Sequence, residues 1–108
     1  MRDEMKPNYL ADGPRRGAIL DLCMAMALDL GPDVFIHQSR ALRDRVDQSE
    51  ALRAYKGRAL VLCGREDTLC PIERHAYMHG LLSGSQLQII ENAGHLPTLE
   101  QPELTIAA

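Results

Sequence analysis

The sequence predicts an α/β fold made of two unlike halves: a helical segment over residues 1–56, then a strand–helix–strand unit with a terminal helix over residues 57–108. Three patterns carry this expectation. Ile19, Leu22, Cys23, Met26 and Leu30 recur at three- and four-residue steps, which is the period of one helix face. Ala59-Leu60-Val61-Leu62-Cys63 is a short unbroken apolar run closed by Gly64, as expected of a parallel strand buried on both faces. Leu87, Ile89 and Ile90 form a second apolar run, and a helical stretch separates the two.

The elements follow in order. Gly13-Pro14 breaks the chain before the first helix. Leu20, Met24 and Leu28 give that helix a second apolar stripe, so it is expected to pack on more than one neighbour. Gly31-Pro32 ends it, and the proline is well placed to open the next helix, from which Phe35, Leu42 and Val46 can face inward. Asp47 followed by Glu50 has capping-box spacing and predicts a third short helix through Tyr55. After the first strand, a polar loop runs from Gly64 to Pro71. A helix then fits Ile72 to Leu82 and stops at Ser83-Gly84-Ser85. The second strand leads into the loop Asn92-Ala93-Gly94-His95, and Pro102-Glu103 reads as the first turn of a last helix. A strand–helix–strand unit with short loops implies parallel strands joined by a right-handed crossover.

Composition narrows the classes of function. The 108 residues carry 12 Lys plus Arg against 15 Asp plus Glu, a net charge of −3. Such a balance argues against sequence-independent nucleic-acid binding. With no Trp and a single Phe, Phe35, the chain has no set of stacking platforms for bases or sugars. Its three cysteines, Cys23, Cys63 and Cys70, are odd in number and form no C-x-x-C, which fits a reduced, cytoplasmic setting. Residues 1–10 show no apolar export signal. The longest apolar stretch, residues 18–30, is broken by Asp21 and Asp29 and falls short of the ~20 residues a bilayer needs, so no membrane is expected as a partner.

Parallel strands point the same way, so the loops that follow them emerge at one edge of the sheet. One such loop carries Asp67 and the other carries His95. Adjacent strands lie about 4.8 Å apart, so the two side chains can meet. A carboxylate bonded to an imidazole fixes its tautomer and stabilises its protonated form, as a general base in acyl transfer requires. The plainer alternative is that Asp67 caps the following helix and His95 is a loop residue.

The wording of these segments adds to their spacing. Leu60-Val61-Leu62-Cys63-Gly64-Arg65-Glu66-Asp67 with Pro71, then Leu87 through Pro97 with Gly94-His95, then Leu99-Glu100-Gln101-Pro102-Glu103, resemble the carboxy-terminal part of the α/β-hydrolase family. The resemblance covers residues 58–108 and implies that Asp67 is the acid and His95 the histidine of a catalytic triad. It favours Asp67 over the neighbouring Glu66. The first half resembles the helical lid that the family inserts before this strand, which makes Met24 and Met26 core or lid lining. The implied activity is hydrolysis of an ester, amide, epoxide or related bond in a small-molecule substrate, with no cofactor and no metal.

The sequence departs from that family in one respect: no G-x-S-x-G nucleophile elbow occurs in it. Ser83 and Ser85 precede the second strand, at the edge opposite His95, and Ser39 and Ser49 lie in the helical half. Cys70 shares the loop edge with Asp67 and is the local thiol to weigh against a plain apolar role, whereas Cys63 reads as core. His75 and His79 share a helix face at a spacing that suits zinc but have no evident third ligand, and His37 has no evident partner. Arg65 and Glu66 read as solvated. The expectation is a truncated hydrolase, inactive by itself. Its alternatives are a non-catalytic interaction module and one half of a split enzyme that needs an upstream chain. An open sheet edge is expected to leave the chain unstable or self-associating.

Overall fold

The computed structural model describes residues 9–108. The reading of the first ten residues as lacking an export signal falls mostly outside them. The chain runs α1 (Arg16–Asp44), α2 (Ser49–Ala54), β1 (Ala59–Gly64), α3 (Ile72–Leu81), β2 (Ser85–Ile90), α4 (Pro97–Glu100) and α5 (Pro102–Ala107). The class is α/β, as expected, and the two strands are parallel.

The predicted break at Gly31-Pro32 is present. Gly31 adopts φ 86° and ψ 171°, a region essentially confined to glycine, and Pro32 opens the second arm of α1. The two arms differ from expectation in their packing. Ile19 and Leu20, in the first turns, are buried with Leu10, and Tyr9, Cys23 and Leu96 pack around them. Leu28, Phe35, Leu42 and Val46 are instead exposed. An apolar stripe records which face of a helix seeks burial, not whether a neighbour covers it. The α2 capping box is also absent. Asp47 accepts from the Ser49 backbone N–H (2.9 Å) and hydroxyl (2.6 Å), which hold its carboxyl below the usual range, and Glu50 pairs with Arg53 instead of reaching back.

β1 and β2 pair in register from Ala59 opposite Ser85 to Gly64 opposite Ile90. α3 packs on both strands and α2 packs on α3. Val61, Cys63 and Ile90 are buried, but Leu60 is 48% exposed. β1 is therefore not covered on both faces as its unbroken apolar run predicts. Burial raises the pKa of the Cys63 thiol, with a further push from Asp67, so this sulfur is an inert core group. Ser85 is the first residue of β2 rather than part of the turn before it. The turn Pro97–Glu100 was not expected, and it packs against α1. Among the described residues no helix is long and apolar enough to cross a membrane.

Candidate active site

The two loops that leave the strands are joined by backbone hydrogen bonds before either reaches its functional residue. Arg65 N–H donates to the Ile90 carbonyl at 2.9 Å, and Glu66 N–H donates to the Ala93 carbonyl at 2.9 Å. Gly64 stands where the loops cross: a Cβ there would collide with the backbone of Ala93 and Gly94. Asn92 takes φ 57°, a left-handed conformation that asparagine tolerates, and turns the chain after β2 toward His95. Arg65 is exposed, as expected, and its Nε also bridges both Glu91 carboxylate oxygens at 2.7 and 2.8 Å. That pairing raises the Arg65 pKa and lowers that of Glu91.

The Asp67 side chain is almost wholly buried, and His95 Nδ1 lies 3.0 Å from its Oδ2. Oδ1 accepts from the backbone N–H groups of Leu69 (3.0 Å) and Cys70 (2.8 Å). A buried carboxylate needs such partners; Oδ1 organises the turn before α3, whose N-cap Pro71 receives no side-chain cap, so Asp67 does not cap that helix, and Oδ2 faces the imidazole. A carboxylate only accepts, so the proton sits on Nδ1 and Nε2, on the far side of the ring, is left as an acceptor. Such a pair can take a proton from an attacking hydroxyl or water and return it to a leaving group.

The His95 ring is held by residues that sequence reasoning did not assign. Its backbone N–H donates to the Tyr9 carbonyl at 2.5 Å, and the Tyr9 ring meets the imidazole edge-on, centroids 5.7 Å apart. The Glu100 carboxylate accepts three backbone N–H groups: Ala11 at 2.7 Å, Gly94 at 2.9 Å and Leu96 at 3.0 Å. Glu100 was visible only as a letter in the matched wording. Tyr9 precedes every predicted element and carried no signal.

His95 lines a cleft of about 480 Å³ between the two arms of α1 and the loops. Met26, Leu30, Val34 and Phe35 form its helical side, with Leu69, Leu96 and Leu99 opposite. Met26 thus borders the cleft, and Met24 does not. No serine lines it. Ser85 lies at the other end of β2, its Oγ 2.7 Å from His79 Nδ1, and Ser49 bonds Asp47. Cys70 touches the site through its backbone N–H. His75 Nδ1 lies 3.1 Å from the Pro71 carbonyl, so the two helix histidines are engaged separately. Among the described residues no group of three or more His, Cys, Asp or Glu side chains is arranged to hold a metal.

The chain matches no protein-family model and no curated protein. Its fold does match solved structures. A thermophilic esterase from Thermogutta terrifontis, solved with malate bound, superposes with a TM-score of 0.89 and 29% identity over 98% of this chain. An esterase from Exiguobacterium antarcticum gives 0.84 at 24% identity, likewise over 98%. A Bacillus subtilis carboxylesterase gives 0.50 at 29% identity over 56%. The chain spans about two fifths of the first two esterases, 40% and 39% of their lengths. Its architecture is therefore that of part of an esterase-type α/β-hydrolase fold.

Proposed function

We propose that this chain supplies the acid–base half of an esterase-type α/β-hydrolase site, with His95 as general base and Asp67 as the carboxylate that orients it. The observation that carries the reading is the 3.0 Å contact between His95 Nδ1 and a nearly buried Asp67 carboxylate, at the mouth of an apolar cleft. His95 Nε2 takes the proton of an attacking hydroxyl as that oxygen bonds to the ester carbonyl carbon. The imidazolium, stabilised by Asp67, then protonates the departing alcohol. Water repeats the cycle to release the acid. The nucleophile and the oxyanion-hole amides come from a second segment, which seats against the open sheet, and α1, which lines the cleft, acts as the lid over the small-molecule substrate.

The test is complementation. The chain alone, given a p-nitrophenyl ester, is expected to show no turnover above buffer. Mixed with the part of the Thermogutta esterase that precedes the matched stretch, it is expected to regain hydrolysis. His95→Ala is then expected to reduce that activity about 10⁶-fold, as loss of a triad histidine does. Regained activity that survives His95→Ala unchanged removes His95 from the reaction. A second reading, a non-catalytic module that recruits a partner strand, is favoured by one feature: both outer edges of the β1–β2 sheet are unpaired among the described residues. It is preferred if no combination hydrolyses the ester.

A further inference from the structure

The Glu100 carboxylate is the point where two separate backbone stretches converge. Its Oε2 accepts from Gly94 and Leu96, the residues on either side of His95, and its Oε1 accepts from Ala11. Ala11 belongs to the strap over residues 9–11, which crosses the His95 loop. The strap contributes the Tyr9 carbonyl that accepts the His95 N–H and the Tyr9 ring that meets the imidazole. The crossing is tight: a Cβ on Gly94 would lie 2.5 Å from the Tyr9 carbonyl oxygen and 3.0 Å from Ala11 N. The loop and the strap are thus tied to one side chain, and His95 lies between them.

We propose that Glu100 is a positioning residue, which sets the direction of the His95 ring by clamping the 94–96 loop to the strap at Tyr9–Ala11. Its role in turnover rests on the reading of Asp67 and His95 as the acid–base pair; its role in ring orientation does not. The physical reason is rigidity. Backbone on both sides of His95 is fixed by charge-assisted hydrogen bonds, so the ring's remaining freedom is rotation about its own side-chain bonds. Tyr9 limits that rotation on one side, and Asp67 receives Nδ1 on the other. A glutamine at 100 keeps an oxygen for Gly94 and Leu96 but turns an N–H₂ toward the Ala11 N–H, donor against donor. It therefore releases the strap alone.

The experiment compares Glu100→Ala and Glu100→Gln in the full chain. Backbone hydrogen exchange is read by mass spectrometry, and the His95 tautomer by solid-state NMR of ¹⁵N-histidine protein, assigned by difference from His95→Ala. Glu100→Ala is expected to speed exchange in residues 9–12 and 93–97, to leave the β1 and β2 amides protected, and to convert a single Nδ1–H signal into a mixture. Glu100→Gln is expected to speed exchange in 9–12 and to spare 93–97. In the complemented enzyme, kcat is expected to fall about 10²-fold for alanine, a misplaced catalytic group. The fall for glutamine is expected to be about tenfold, one hydrogen bond lost of three. KM changes little in either variant.

An unchanged His95 signal in Glu100→Ala overturns the proposal. So does loss of protection throughout β1 and β2 in both variants, which makes Glu100 a general structural residue. An altered His95 signal with unaltered regained turnover supports the clamp and counts against His95 as base, so the two readings fail separately.

Discussion

Asp67 divides its two oxygens between two tasks, and the division predicts how substitutions separate. In Asp67→Asn the side-chain oxygen still accepts from Leu69 and Cys70, while the amide N–H₂ faces His95 Nδ1. The imidazole must then accept there, so its proton moves to Nε2, the atom a base needs bare. We expect a ¹⁵N-histidine spectrum switched from Nδ1–H to Nε2–H, regained turnover down by about 10⁴-fold, and little change in the midpoint of urea unfolding. Asp67→Ala leaves the Leu69 and Cys70 N–H groups without their acceptor and is expected to cost about 1–3 kcal/mol of stability in the same titration. An asparagine variant that keeps Nδ1–H and full turnover contradicts the assignment. The contact between Asp67 and His95 was legible in the sequence because parallel strands bring their following loops to one edge and because both segments resemble those of the α/β-hydrolase family; the edge rule by itself left the plainer reading open. Glu100 was not legible in its role, because it acts on backbone N–H groups, one of them 89 residues away at Ala11. Backbone groups carry no side-chain signature.

At the level of elements, the site depends on how closely the β1 and β2 loops cross. Gly64 ends β1 where a side chain would strike the Ala93–Gly94 backbone, and the Arg65 and Glu66 N–H groups bond across the same crossing. Gly64→Ala therefore pushes the loops apart at the base of the Asp67–His95 contact. It is expected to destabilise the fold by about 1–3 kcal/mol, the usual range for an overfilled site. Gly80 is the control. It lies in α3 with nothing within 4 Å of an added Cβ, so Gly80→Ala is expected to raise stability by up to about 1 kcal/mol through helix propensity. Urea unfolding followed by circular dichroism compares the two, and equal shifts of one sign would remove the special role of Gly64. The strands, α3 and the Gly31 break follow from local chemistry and were readable. The packing of Leu42 and Val46 was misread, because periodicity describes one helix and burial describes two surfaces.

The whole molecule has less interior than its apolar content would fill. Among the described residues, buried apolar side chains are confined to Leu10, Ala11, Ile19 and Leu20 around the strap, and Val61, Cys63, Ile90 and Ala93 around the sheet. Leu28 (74% exposed), Leu42 (62%), Val46 (70%) and Ile106 (85%) remain in water. Apolar surface of this kind marks an interaction site or an aggregation hazard, and both outer edges of the two-stranded sheet are unpaired among the described residues. The chain alone is therefore expected to self-associate, with a light-scattering mass that rises with concentration and a broad thermal transition. Addition of the esterase segment used for complementation offers the same surfaces a partner with strands of its own. The mass is then expected to settle at one copy of each chain, and the transition to sharpen. The self-association and the lack of turnover expected of the chain alone have one physical origin if the same added segment cures both. A monomeric mass at every concentration, with a single sharp heat-capacity peak for the chain by itself, would separate them and leave the open sheet edge without a role.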